Sequence, residues 1–186
     1  MALVLLAPAA PSLALDPTPA QVRGPFHPYA APVERDSDLA QVAGRSAQGM
    51  PLEVRGRVAT RAGEAVAGAR VELWQANAHG RYHHPKDDDS SGPLDPGFQG
   101  WGETRTGAQG EYSFRTIMPV AYGGRTPHLH FIVHAPGRPE FVTQLYLAGN
   151  AANAGDFLYA RLSAAERARI TVAVEGGVAR FDIVLP

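Results

Sequence analysis

Two histidines stand at i and i+2 in the run GGRTPHLHF, residues 123–131, with a tyrosine, Tyr122, just before it. If this run enters a strand, His128 and His130 project to one face, with Cα atoms roughly 6.6 Å apart. Leu129, Phe131 and Val133 then fall on the opposite, apolar face. A histidine pair backed by an apolar face is a common way for a sheet to hold a metal. Tyr122, and a second tyrosine in a similar loop setting, Tyr82, add oxygen donors of an unusual kind. Without cysteine the chain has no thiolate to offer, so a metal here must be held by oxygen and nitrogen.

Each of these residues also has an ordinary reading. A histidine pair on a strand serves as a hydrogen-bonding feature as well as a ligand pair, and a lone loop tyrosine more often packs its ring. Tyr122 beside two glycines reads as a turn aromatic, and an arginine such as Arg125 usually pairs with a surface carboxylate. His83 and His84 follow Tyr82 at once and diverge, as loop or pocket-rim residues do. His134 shares the face of the histidine pair but lies further along the strand. Asp87, Asp88 and Asp89 read as a solvated loop run.

The elements that must position these groups are mostly strands. With 186 residues and 45% apolar content the chain is long enough for one domain with a proper core. Alternation and β-branched content predict strands at 54–61, 69–75, 111–118, 128–135, 141–147, 170–175 and 178–185. Gly176-Gly177 suits a two-residue hairpin turn, and Ser163 with Glu166 has the spacing of a capping box on a short helix over 163–169. Residues 76–102 form a long polar loop, of a length that is usually functional. Many short strands with one short helix predict an all-β fold, a β-sandwich of mainly antiparallel strands over 53–186.

Ahead of that domain, prolines at 17, 19, 25, 28, 32 and 51 mark residues 16–52 as an arm without regular structure. Residues 1–15 are uncharged and apolar but carry Pro8 and Pro11, which rules out a span of about 20 unbroken apolar residues. A secretory signal fits better, although no Lys or Arg precedes the apolar run. Export, to a periplasm or beyond, is therefore expected ahead of a cytoplasmic location, with a flexible apolar arm as the other reading. Net charge is −1, Lys86 is the single lysine and the arginines are scattered, so no nucleic-acid stripe is present.

Five segments taken together resemble the intradiol ring-cleavage dioxygenases, especially the protocatechuate 3,4-dioxygenase branch. They are TPAQVRGPF (18–26), VELWQANAHGRY (71–82), LDPGFQGWG (94–102), GEYSFRTIMPVAYGGRTPHLHF (110–131) and TQLYLAGN (143–150). The resemblance implies a non-haem Fe(III) cofactor held by Tyr82, Tyr122, His128 and His130. It implies that Tyr82 is the equatorial tyrosinate and Tyr122 the axial one that leaves when substrate binds, with His128 and His130 the axial and equatorial imidazoles. Arg125 matches the arginine facing the bound catecholate, and Gln144 the glutamine near it. Gly24 and Pro25 match arm residues that reach the substrate from the other chain in two-subunit members; here arm and iron motifs share one polypeptide. Any such contact then comes from the same chain or from an identical neighbour in a homo-oligomer, or else the arm only plugs a sheet edge. The implied partners are O2 and a catechol-type substrate, which is opened between its hydroxylated carbons to a diacid.

The chemistry explains the residue types. Phenolate is a hard oxygen donor suited to a hard, highly charged ion. Tyrosine, with an ordinary pKa near 10, gives up its proton only to such an ion. Two departures from the family pattern stand out: Gly124 replaces a tryptophan common after the axial tyrosine, and the loop from Tyr122 to Arg125 is short. Three other readings compete: a different metalloenzyme, a non-catalytic binding module, and an iron-binding protein that has lost catalysis. A cupin or extradiol Fe(II) enzyme would use two histidines and a carboxylate, but Ala135 and Pro136 occupy the place of the cupin glutamate. GRVATRAGEAVAGARVELWQ (56–75) also resembles transthyretin-like sandwich strands, which would make the chain a non-catalytic binding module.

Overall fold

The computed structural model describes residues 14–28, 34–87 and 92–186. The proposed leader therefore lies almost wholly outside the described residues, as do Asp88 and Asp89. In chain order the elements are β1 (Gln41–Val42), β2 (Arg45–Ser46), β3 (Pro51–Ala59), β4 (Arg70–Trp74), β5 (Trp101–Arg105), β6 (Glu111–Ile117), β7 (His128–His134) and β8 (Phe141–Leu147). After two 3₁₀ turns, Ala151–Gly155 and Tyr159–Arg161, come α1 (Ala164–Ile170), β9 (Thr171–Val172), β10 (Val174–Glu175), β11 (Val178–Arg180) and β12 (Ile183–Val184).

Two five-stranded sheets form the sandwich. One runs β10-β11-β3-β12 with β6 on β3, and the other runs β5-β4-β7-β8-β9. Most pairs are antiparallel; β11 and β12 on β3, and β9 on β8, are parallel. Alternation decides which residues meet between the sheets. Leu129, Phe131 and Val133 of β7 are fully buried there with Val71 and Leu73 of β4 and Val54 and Val58 of β3. Phe131 spans the gap, its ring 6.4 Å from Phe114 on β6 and 5.3 Å from Phe181. Full burial of each such ring or branched side chain contributes about 1.5–3 kcal/mol.

The outer face of β4-β7-β8 is buried as well, which an isolated sandwich sheet would leave to solvent. A second cluster of Trp74, Ala76, Tyr82, Trp101 and Ile132 lies there, with Phe26, Tyr122 and Val142 packed against it. The cover is the N-terminal arm, fastened by backbone and side-chain bonds. Thr18 N donates to Val184 O at 3.0 Å, Gln21 N to Val142 O at 2.8 Å and Thr143 Oγ1 to Pro19 O at 2.8 Å.

Several boundaries differ from the expected ones. Pro51 opens β3 instead of lying in the arm, because the first residue of a strand is one place where a missing N–H costs nothing. The arm region also holds the small β1-β2 hairpin, turned by Ala43 and Gly44 at φ 48° and 77°. The long loop ends two residues early, at Trp101, since β5 finds its partner in β4. Ile170 closes the helix rather than starting a strand, and the last expected strand breaks at Phe181-Asp182 as β3 receives first β11 and then β12. The Ser163–Glu166 capping box and the Gly176-Gly177 turn, at φ 58° and 79°, form as expected.

Candidate metal centre

The ladder β4-β7-β8 lines up the polar row on the outer face. Its register pairs Trp74 with His130, His130 with Gln144, and His128 with Tyr146. The two loops supply the tyrosines. Tyr82 ends the turn after β4, where its backbone N–H donates to Asp87 Oδ2 at 2.6 Å. Asp87 is thus a buried acceptor that shapes the Tyr82 loop, and not part of a solvated run. Tyr122 opens a two-residue turn closed by Arg125 N donating to Tyr122 O at 2.7 Å. Its central residues, Gly123 and Gly124, have φ of 50° and 76°, a conformation that a tryptophan side chain at 124 would strain. This accounts for the short loop.

Four donor atoms close a ring. Tyr82 Oη lies 2.9 Å from Tyr122 Oη, which lies 3.3 Å from His128 Nε2; His128 Nε2 is 3.1 Å from His130 Nε2, which is 3.0 Å from Tyr82 Oη. Atoms bonded to one ion at about 2.1 Å and at right angles stand about 3 Å apart, so the spacing fits a single ion in the middle. Round the ring Tyr122 and His128 are neighbours at 3.3 Å. Tyr122 stands across from His130, and Tyr82 across from His128.

Protonation favours the same reading. Burial holds the His128 imidazole down at about 4, with Arg125 adding to the effect, and drives His130 well below the ordinary histidine value. Both are neutral and offer a lone pair. His128 Nδ1 is 2.6 Å from Thr126 O, which fixes its proton there and turns Nε2 to the centre. Burial pushes the Tyr82 phenol well above 10 and Tyr122 also up. Only a strongly charged cation between them would bring both phenols to phenolate, so the donor set suits a hard ion. Among the described residues no trio of His, Asp or Glu is placed to hold a metal, so the two-histidine, one-carboxylate alternative finds no carboxylate.

Arg125 sits next to this ring in a fixed orientation. Its Nε donates to Asp156 Oδ2 at 2.6 Å, and Nη2 to Gln144 Oε1 at 2.8 Å and Tyr146 Oη at 3.1 Å. Burial works against its charge most strongly of any single cause, but the Asp156 hydrogen bond together with the charges of Asp156, Tyr146 and Tyr122 outweighs it and the pKa rises. Asp156 is fully buried, and burial likewise is outweighed by Arg125 together with the backbone hydrogen bonds from Tyr159 and Thr126, so its carboxyl stays below the usual range. Gln144 reaches back to the arm, Nε2 donating to Val22 O at 3.0 Å. A cleft of about 700 Å³ opens here, lined by Pro25, Phe26, Tyr122, Gly123, Arg125 and Phe157 among others. Pro25 therefore lines the cleft, while Gly24 lies against His130: a Cβ there would stand 3.3 Å from its Cε1. Both come from the same chain as the ring.

Sequence reasoning missed four residues. Asp156 and Tyr146 fix Arg125, Trp74 stacks on His130, and Glu72 holds His27 beside that tryptophan. Asp156 lies in a 3₁₀-rich loop with no pattern to flag it. Trp74 and Tyr146 lie within segments that carry the resemblance, but their roles depend on strand register. His83 is exposed, His84 is buried with its ring 5.6 Å from Phe26, and His134 bonds Glu72 Oε1 at 2.8 Å.

Comparisons with known proteins agree with this geometry. Residues 22–186 match the family model described as Dioxygenase. The protocatechuate 3,4-dioxygenase beta chain of Burkholderia cepacia is 38% identical over 168 residues, 81% of this chain and 71% of that one. This chain belongs to the intradiol ring-cleavage dioxygenases. That family uses non-haem iron. Catechol 1,2-dioxygenase 2 of Acinetobacter lwoffii is 34% identical over 77% of this chain and 56% of its own length. Beyond the beta chain, this chain spans about half the length of the curated relatives it matches. The dioxygenase domain of a dioxygenase carbohydrate-binding protein fusion from Streptomyces sp. SirexAA-E superposes with a TM-score of 0.71 at 35% identity, covering 91% of this chain and 98% of that one. The sandwich is thus the family fold.

Proposed function

We propose that this chain is a non-haem Fe(III) intradiol dioxygenase that opens a catechol-type ring between its two hydroxyl-bearing carbons with O2, yielding a cis,cis-muconate-type diacid. Tyr82, Tyr122, His128 and His130 would hold the iron. The observation that carries the reading is the closed ring of four donors, two of them buried phenols, reaching a cleft through Tyr122 beside Arg125. When bound, ferric iron supplies a Lewis acid that chelates the catecholate and makes its ring reactive towards O2.

The side chains supply the rest. Tyr122 is the half-buried donor that faces the cleft, so it would be the donor that yields to substrate, and its phenolate would then take one substrate proton. Arg125, held by Asp156, Gln144 and Tyr146, presents a preorganised positive charge to the electron-rich ring. Pro25, Phe26 and Phe157 give the ring apolar walls and thin out water. A cleft of about 700 Å³ admits a catechol with room for substituents, so catechol, protocatechuate and hydroxyquinol are all candidates. Export of the mature chain remains part of the proposal, on the apolar composition of residues 1–15.

The test is oxygen uptake by iron-loaded protein against these three catechols, with product analysis. The expected protein is coloured by tyrosinate-to-iron charge transfer, holds about one iron per chain and puts both atoms of labelled O2 into a diacid. A yellow semialdehyde product, or colourless iron-loaded protein, overturns the reading.

A further inference from the structure

The two histidines of the ring are held in different ways. Ligating histidines almost always donate their second ring N–H to an acceptor, which sets the ring plane. His128 obeys this, through Thr126 O at 2.6 Å. His130 does not: its Nδ1 is buried and, among the described residues, has no hydrogen-bond partner. What touches the ring instead is a face. Trp74, its direct partner across the β4-β7 ladder, stacks on it with centroids 4.7 Å apart and planes within 12°. The Trp74 indole nitrogen is buried and, among the described residues, also without a partner, so the contact Trp74 offers His130 is its face.

The arm completes the box. His27 stands edge-on to Trp74 at 4.8 Å and 90°, its Nε2 2.9 Å from Glu72 Oε2. Gly24, at φ 76°, lets the arm backbone press on the Cε1 edge of His130. Tyr82 closes another side edge-on at 6.1 Å.

We propose that Trp74 is a positioning residue that fixes the plane of the His130 imidazole by stacking, in place of the missing hydrogen bond, and that His27 and Gly24 of the arm lock this stack. The proposal rests on the metal reading above. It makes the arm part of the metal centre as well as a cover along β8.

The experiment compares full-length wild type, Trp74→Leu, Trp74→Phe, His27→Ala and His134→Ala, each checked for fold by circular dichroism. Iron affinity is read by chelator competition, and ring geometry by the charge-transfer band and the ferric electron paramagnetic resonance spectrum. Trp74→Leu keeps apolar bulk but loses the aromatic face, so iron affinity is expected to fall about 10–100-fold, the size usual for losing a ligand's orienting partner. The visible band should shift. Trp74→Phe restores a face and should recover most of both. His27→Ala should weaken iron several-fold with a smaller shift, and carries the test if Trp74→Leu does not fold. His134→Ala also touches Glu72 but lies away from the stack, and should match wild type. A folded Trp74→Leu, or in its absence His27→Ala, with wild-type affinity and spectrum overturns the proposal. Wild type lacking the band altogether sinks the metal reading instead.

Discussion

The donor ring has a sealed side and a cleft side, and they are built by different means. On the sealed side Tyr82 and His130 are 2% and 3% exposed and are fixed largely by rings: Phe26 at 5.0 Å from Tyr82, Trp74 stacked on His130. On the cleft side Tyr122 is half-buried, and its neighbours Arg125 and His128 are fixed by hydrogen bonds to Asp156, Gln144, Tyr146 and Thr126. Packing resists change of any kind, whereas a hydrogen-bonded loop tolerates the exchange of one partner for another. A site that must keep its ion while swapping a ligand needs one side of each kind.

The tyrosines offer the sharpest way to break that contrast. Tyr82→Phe removes a donor from the sealed side, where nothing from the cleft can replace it, and iron content and colour should both collapse. Tyr122→Phe removes the donor that substrate displaces, so iron should largely stay while catechol binding and its proton release change. Iron analysis and absorbance of both purified variants decide it. Equal iron loss would mean that the two sides are not distinct.

The sequence foretold this division unevenly. The four donors, Arg125 and Gln144 were legible because strand period and local motif fix them: an HxH at period two, tyrosines closing short runs, a resemblance carried by contiguous segments. The five longer strands of the core followed from alternation, with only β5 among the longer elements missed, hidden at the end of a Gly- and Asp-rich loop. What was not legible depends on register and on chain segments far apart. Trp74 meets His130 only because β4 pairs with β7 in one register, and Asp156 meets Arg125 across 31 residues through a loop without regular period. Asp87 looked like its acidic neighbours until the Tyr82 backbone N–H was seen to need it.

Arg125 probes the cleft side next. Its charge lines the cleft proposed for the substrate ring, so Arg125→Ala should keep iron and colour while turnover falls on the order of 10²–10³-fold. The variant also leaves the buried Asp156 carboxylate without its cation, which typically costs about 3–5 kcal/mol. Asp156 keeps its bonds from Thr126 N, Leu158 N and Tyr159 N at 3.1, 3.0 and 3.0 Å, so the loss should fall towards the lower end. Steady-state kinetics with urea denaturation separate the two effects. Unchanged turnover in folded variant would remove Arg125 from the chemistry.

Glu72 probes the sealed side, with the smallest expected effect and a defined pH signature. Its side chain is only 5% exposed and accepts from Trp101 Nε1 at 3.0 Å, from Arg70, and pairs with His27 and His134. Arg70 also bonds Glu103, and Glu140 lies behind His134 at 3.8 Å, so cations and further carboxylates face this group from β4, β5, β7 and the arm. Burial alone would raise the Glu72 pKa, but the bonds from His27, Trp101, Arg70 and His134 together lower it from 4.5 to about 2. A folded pKa below the unfolded one means that the contribution is complete above pH 4.5 and is lost as pH falls towards 2. Over that interval it amounts to about 3 kcal/mol. Glu72→Gln keeps the shape and removes the charge. In urea titrations from pH 7 to pH 2 the wild type should exceed this variant by a gap that is level down to about pH 4.5 and then closes towards pH 2. A gap that stays level through the acid range would show that the arm is fastened over Trp74 by packing alone, and that the carboxylate adds no charge-dependent hold to the sealed side.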